Sequence, residues 1–268
     1  MKFSVLMSLY IKEKPEFLDD CFKSLHLQTV NPDEIVLVID GEITDELILI
    51  IHKWQEVMNV KVFPLPNNVG LGKALHFGLG KCVNNLVARM DTDDICELNR
   101  FEKQIEAFKL NPDLSICGSY ITEVDPFTLE CISVRKVPLS NKDIYKQILK
   151  SNPFNHMTVM YNKKHIIQVG NYKHLPFMED WYLWLRLVNS GFEGLNIPVC
   201  LVKARTGESM LTRRSGFEYI KSEWLITKKK IALINNSTCK SLYYFIKRSI
   251  PRLFPQKIIY LFYKISRM

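Results

Sequence analysis

The residues best suited to chemistry in this 268-residue chain are Arg89-Met90-Asp91-Thr92-Asp93-Asp94. Three carboxylates in four positions repel one another unless a cation sits among them. Oxygen-only ligation favours a hard ion, Mg²⁺ or Mn²⁺, which keeps coordination positions open for phosphate oxygens. An acidic turn or a helix cap has the same composition. Here, however, the apolar run Leu86–Met90 leads straight into the acids and places them at the carboxyl end of a strand, where parallel α/β sheets bind ligands. A calcium loop of EF-hand type does not fit, because Ile95 and Cys96 occupy the positions of a ligand and the turn glycine.

A second acidic pair opens the segment Glu179-Asp180-Trp181-Tyr182-Leu183-Trp184-Leu185-Arg186. A helix dipole stabilises carboxylates at its N-terminus. The functional reading is a general base beside an aromatic shelf for a sugar ring. Asn155-His156, just after Pro153, are candidates to shape the same pocket. Asp40-Gly41 closes another apolar run, where a carboxylate can accept the imide N–H of uracil. Asn68-Val69-Gly70-Leu71-Gly72-Lys73 opens a helix whose backbone N–H groups, with Lys73, can meet phosphate. It is neither a Rossmann fingerprint nor a P-loop, since a third glycine is missing and Ala74 follows Lys73. Arg205, Ser209, Arg213 and Arg214 flank a glycine and form a candidate lid over a departing diphosphate.

The elements that must position these groups alternate in period. Phe3–Tyr10, Glu34–Ile39, Val60–Leu65 and Leu86–Met90 read as buried strands. Pro15–Leu27, a Thr44-capped segment to about Val57, and Lys73–Cys82 read as helices. This order implies right-handed βαβ units and a mostly parallel sheet. Arg100–Leu110 reads as a helix stopped by Asn111-Pro112, and Leu114–Tyr120 as a strand. Residues 121–138 read as a hairpin or irregular excursion. Ser140–Lys150 carries a capping-box pattern, and Glu179–Ser190 is a helix closed by Gly191.

A hydrophobic content of 47% supports one large core rather than a disordered chain. The net charge of +8 is localised: from Trp224 to Met268 there are ten Lys or Arg and no Asp or Glu, leaving the first 223 residues near −2. Such a tail, rich in Tyr and Phe, suits an interfacial helix on anionic lipid. No recognisable nucleic-acid module is present, so nucleic acid is not an expected partner. Seven scattered cysteines without C-x-x-C spacing argue against a disulfide framework or structural zinc. No signal peptide and no apolar run long enough to span a bilayer is evident. The expected location is cytoplasmic, peripheral on the inner face of the cytoplasmic membrane.

Taken in order, Ser4-Val5-Leu6-Met7-Ser8-Leu9-Tyr10, Glu34 through Asp40-Gly41, Asn68 through Ala74, Met90 through Asp94 and Glu179-Asp180-Trp181 resemble the family 2 inverting glycosyltransferases, over roughly residues 2 to 215. The resemblance implies a GT-A fold: Rossmann-like, α/β, with a mostly parallel central sheet flanked by helices. To this would be added a basic, aromatic-rich helical C-terminal extension. Residues 1–223 would form the catalytic domain, with a nucleotide-sugar part (1–120) and an acceptor part (121–223). Residues 224–268 would form the basic extension. Ser8, Leu9 and Tyr10 would line the nucleotide pocket and Asp40 would contact uracil. Asp91 and Asp93 would hold the donor ribose and a Mn²⁺ or Mg²⁺ on the diphosphate, with Arg89, Thr92, Asn68, Gly72 and Lys73 as further donor contacts. Asp180 would be the base, with Glu179, Trp181, Asn155 and His156 near the acceptor. Arg100 stands where many members carry an arginine. Ile39 stands where members often carry Asp, and His76 where Asn is common.

The implied reaction moves a hexose or N-acetylhexosamine from a UDP-sugar to a polyprenyl-diphosphate-linked saccharide in bacterial O-antigen, capsule or exopolysaccharide synthesis. Two other classes also use clustered aspartates or basic tails: a metal-dependent phosphohydrolase or nucleotidyltransferase, and a nonenzymatic membrane-surface binding protein with a degenerate site.

Overall fold

The computed structural model describes residues 1–206 and 216–253. Ser209, Arg213, Arg214 and the aromatic-basic stretch 254–268 therefore lie outside the described residues. The chain runs β1 (Phe3–Leu9), α1 (Pro15–His26), β2 (Glu34–Asp40), α2 (Asp45–Gln55), β3 (Val60–Leu65), α3 (Leu71–Lys81), β4 (Leu86–Arg89) and β5 (Ile95–Cys96). It continues through α4 (Arg100–Leu110), β6 (Leu114–Val124), β7 (Cys131–Arg135), α5 (Asn141–Gln147), β8 (Met160–Asn162), α6 (Lys163–Gln168), α7 (Glu179–Asn189) and β9 (Glu193–Arg205). Two C-terminal helices follow, α8 (Phe217–Leu233) and α9 (Thr238–Ser249), and a 3₁₀ turn over Ile250–Leu253.

The described strands form one sheet in the order β3-β2-β1-β4-β8-β6-β9-β5, with β7 paired to the far end of β6. β3, β2, β1 and β4 are mutually parallel. Beyond them the sheet is mixed, because β8 runs antiparallel between β4 and β6 while β6 and β9 run parallel. The expected parallel half is thus present, and the excursion after Tyr120 is a hairpin in which β6 continues to Val124.

Both faces of the parallel half are covered, which explains its near-continuous apolar strands. Side chains alternate across a strand. Phe3, Val5, Met7 and Leu9 of β1 accordingly join Phe22, Trp54 and Phe101 on one side. Leu6 and Val36 join Leu75, Leu79, Trp181 and Trp184 on the other. Helix ends follow local chemistry. Thr44 caps α2 by accepting from Leu47 N–H, Ser140 caps α5 by accepting from Asp143 N–H, and Gly191 takes a positive φ (79°) just after α7.

α8 crosses residue 223 without a break, because Tyr219, Ser222, Glu223, Ile226, Thr227 and Lys230 form one continuous buried face. Three cations of the tail therefore do not face solvent as a lipid-binding set. Lys230 Nζ donates to the Leu149 carbonyl (3.1 Å) and sits 3.6 Å from the Trp181 ring centre. Arg248 and Arg252 both pair with the buried Glu223 carboxylate, at 2.6 and 3.4 Å.

Candidate active site

β4 ends at Arg89, and the next residues turn across the carboxyl edge of the sheet. Asp91, Asp93 and Asp94 come together there, with one carboxylate oxygen from each within 4.8 Å of the others. Burial, then the charges of Asp91 and Glu13, pushes the Asp93 carboxyl up to about 7. Burial, then Asp93 and Asp91, drives Asp94 well above the usual carboxylate range. Asp94 Oδ1 accepts the Arg205 N–H at 3.0 Å, whereas its buried Oδ2 has no hydrogen-bond partner among the described residues. An unpartnered buried oxygen, in an all-oxygen trio pushed toward protonation, fits a hard divalent cation.

This turn is heavily braced. The Cys21 thiol donates to the Asp91 carbonyl (3.3 Å), and the Thr92 hydroxyl donates to the Glu13 carboxylate. Arg205 Nη1 donates to the Asp93 carbonyl (2.6 Å), Nη2 pairs with Asp20 (2.6 Å) and Nε donates to the Pro126 carbonyl (3.0 Å). With its side chain 3% exposed, Arg205 is a strut beneath the acids, not the free lid arginine its position suggested. Arg100 is also wholly buried: Nη2 donates to the Arg89 carbonyl (2.7 Å) and Nε to Gln104 Oε1 (3.1 Å).

Arg89 lies between the two acidic clusters. Its guanidinium is 2% exposed and pairs with Asp91. Burial opposes its charge, but the Asp91 carboxylate outweighs that and raises its pKa. Its charge also partly offsets the burial that raises the Glu179 and Asp180 carboxyls.

That second cluster opens α7. Burial raises the Asp180 carboxyl; the Trp181 N–H (2.6 Å, to Oδ1) and Asn152 Nδ2 (2.5 Å, to Oδ2) pull it back. Burial and then Asp180 push Glu179 up to about 7. The start of α3 meets the start of α7 here, since a Cβ on Gly72 would lie 3.0 Å from Glu179 Cβ. The absent side chain lets the glycine-loop helix approach the start of α7. His156 Nε2 lies 3.1 Å from the Tyr172 hydroxyl, and burial, then Arg89, holds its pKa well below the ordinary value. It is therefore neutral.

Several sequence expectations acquire different roles. Both oxygens of Asp40 accept backbone N–H groups, from Val69 (2.7 Å) and Gly70 (3.0 Å), while Asn68 Nδ2 donates to its carbonyl (3.1 Å). Asp40 is a tether for the glycine loop, and its oxygens are engaged before any uracil arrives. Trp181 and Trp184 are 1% and 0% exposed, and Trp181 Nε1 donates to the Ile148 carbonyl (2.8 Å). They anchor α7 in the core and offer no shelf to a sugar. Asn155 is buried, with Nδ2 spent on the Ser119 carbonyl (2.8 Å). Lys73, Asn68 and Tyr10 are exposed, Ser8 is half-buried and Leu9 is core.

Glu13 and, as a partner of Asp180, Asn152 went unrecognised in the sequence, and Asp94 was read within the acidic run but not named with Asp91 and Asp93 as a metal ligand. Asp94 was legible in principle, as the third acid of the run. Glu13 and Asn152 reach the site through loops with no spacing signal.

Glycosyl transferase family 2 matches residues 4–169 of the chain. The amylovoran biosynthesis glycosyltransferase AmsE of Erwinia amylovora is 44% identical over 265 residues, 99% of each chain. The Escherichia coli UDP-Gal:alpha-D-GlcNAc-diphosphoundecaprenol beta-1,3-galactosyltransferase is 40% identical, over 83% of this chain and 80% of that one. Residues 1–349 of S. aureus TarS, solved in complex with UDP-GlcNAc, superpose with a TM-score of 0.68 at 20% identity, over 95% of this chain and 73% of that one. The chain spans 43% of the longer TarS chain. At that identity the likeness is one of fold.

Proposed function

The chain belongs to glycosyl transferase family 2, and on that premise we propose that it transfers a hexose or N-acetylhexosamine from a UDP-sugar to a hydroxyl of a polyprenyl-diphosphate-linked saccharide, inverting the anomeric centre. The product would enter a bacterial surface polysaccharide. The carrying observation is the pair of acidic clusters flanking one buried arginine: a cation-ready trio at Asp91, Asp93 and Asp94 and a base candidate at Asp180.

Asp180 takes the acceptor proton as the hydroxyl attacks, and Asn152 and the Trp181 N–H hold its carboxylate in place. Asp91, Asp93 and Asp94 would hold a Mn²⁺ or Mg²⁺, which when bound supplies positive charge to the departing diphosphate. Arg89 pairs with Asp91, and its charge adds to the Trp181 N–H and Asn152 in favouring the ionised form of Asp180 against burial. A single displacement of this kind inverts the sugar.

The lipid-linked acceptor and the UDP-sugar donor rest on the relatives' chemistry, which supports a location at the inner face of the cytoplasmic membrane. None of the described helices is long and apolar enough to cross a bilayer.

Incubation of the protein with UDP-galactose, UDP-glucose or UDP-N-acetylglucosamine and a polyprenyl-diphosphate-linked N-acetylglucosamine should give UDP and one new β-glycoside. Free phosphate, or UMP with sugar 1-phosphate, in place of a glycoside would favour the phosphohydrolase reading.

A further inference from the structure

A surface helix ordinarily turns its apolar residues inward and its polar residues to water. In α9 this sorting is incomplete: Tyr244 and Phe245 are half-buried, but other apolar side chains face outward. Its fully buried positions are Ser241 and Ser249, and Arg248 reaches beneath the helix to Glu223 (Nε 2.8 Å, Nη2 2.6 Å). Leu242, Tyr243 and Ile246 point outward, 36%, 58% and 54% exposed, and Ile250 just past the helix end is 51% exposed. Residues 242, 246 and 250 recur every fourth position, so they form one stripe along the helix.

The neighbouring helix extends this face. Trp224 of α8, 39% exposed, packs against Phe245 of α9 with ring centres 5.1 Å apart. Lys228, Lys229, Lys240 and Lys247 are exposed on the same two helices. The acid buried within the pair, Glu223, is already neutralised by Arg248 and Arg252. The exposed Glu218 stands at the start of α8 beside Lys221 (3.5 Å). From Trp224 to Met268 the sequence contains no other acid to offset the lysines.

We propose that the outer face of the α8–α9 pair docks on an anionic lipid bilayer, the Leu242–Tyr243–Ile246–Ile250 stripe entering the headgroup boundary and the lysines meeting lipid phosphates. The charge favours lipid over a second copy of the chain, which would bring the same lysines against themselves. Trp and Tyr suit the headgroup level, where one end of the ring is apolar and the other wet. The inner side of the pair grips the base helix: Lys230 and Arg248 lie 3.6 and 4.9 Å from the ring centre of Trp181, the residue after Asp180. Docking therefore carries the base helix to the bilayer as one packed unit. This inference deepens the reading of a lipid-linked acceptor, but its test reads vesicle binding and is independent of turnover.

The full chain should co-float with phosphatidylethanolamine–phosphatidylglycerol vesicles and much less with phosphatidylcholine vesicles. Leu242→Ser, Tyr243→Ser and Ile246→Ser together should reduce partitioning by on the order of tenfold or more. Lys240→Gln and Lys247→Gln should each reduce it about fivefold, with weaker salt dependence. UDP affinity and the circular-dichroism spectrum should be unchanged in all of these, since the altered side chains are exposed. Equal vesicle binding by wild type and the triple variant would overturn the proposal, as would equal binding to phosphatidylcholine. A dimer in solution that the triple variant disrupts, without any vesicle binding, would assign the face to a second copy.

Discussion

Asp93→Asn should stabilise the protein when divalent cations are removed, while disabling its donor site. The Asp93 carboxyl is held up to about 7 against an ordinary 3.8. Each pH unit corresponds to about 1.36 kcal/mol, so the folded state carries a penalty of up to about 4 kcal/mol above pH 7. This is a ceiling, because three carboxylates share the repulsion. An acid with a raised folded pKa contributes no penalty below its unfolded pKa. The penalty grows as pH rises and is complete once the folded group ionises. In the presence of EDTA, wild type should lose about 2 kcal/mol more than Asp93→Asn between about pH 5.5 and about pH 8, whatever the other buried groups add to both proteins. Asp93→Asn should keep the pH dependence of Glu179 and Lys230, lose only the Asp93 contribution, and exceed wild type at the higher pH. Urea unfolding at the two pH values reads this directly. Added Mn²⁺ should raise wild-type stability at pH 8 and leave the variant nearly unchanged. A variant less stable than wild type at pH 8, or one with the full slope retained, would refute the electrostatic account of the acidic turn.

Asp180→Asn should lower turnover 10²–10⁴-fold, roughly the contribution of a general base, with UDP affinity intact; near-normal turnover would remove Asp180 from that role. Because burial raises the Asp180 carboxyl, the acid limb of kcat/KM should lie above the ordinary carboxylate range, and a limb near pH 4 would contradict the assignment. Gly72→Ala places a methyl 3.0 Å from Glu179 Cβ and should cut turnover by about tenfold or more by displacing the start of α7, with the melting temperature little changed. Lys230, pulled down to about 7 by burial against an ordinary 10.5, destabilises the fold most where it is charged. The cost of burying charged Lys230 should therefore be relieved as pH rises from about 7 toward 10.5; Lys230→Met should exceed wild type at neutral pH by a margin that shrinks over this range in urea unfolding.

The sequence revealed those parts of the site whose signal is local. The order of the first four strands followed from apolar runs punctuated by Pro, Gly and Asn, and the acids at the end of β4 followed from their spacing alone. Thr44 and Ser140 were legible as caps because capping is decided within four residues. The mixed half of the sheet was not, because β8 is three residues long and its antiparallel place between β4 and β6 is a tertiary fact. The structural roles that the sequence did not show share one cause: composition shows that a side chain is polar or aromatic, but not which partners the fold gives it. Asp40, Arg205, Asn155 and Trp181 each have a functional residue type, and each is committed to a backbone partner or to the core. The exposed apolar stripe of α9 was similarly hidden, because its apolar spacing is that of any packed helix until Ser241 and Ser249 are seen to face inward.

The most direct test of the central claim is calorimetric binding of UDP, with and without Mn²⁺, to the wild-type protein and to an Asp91→Ala, Asp93→Ala double variant. The acidic trio predicts binding that requires the metal and is lost in the variant. Binding indifferent to both metal and aspartates would contradict the assignment of this turn as the donor site.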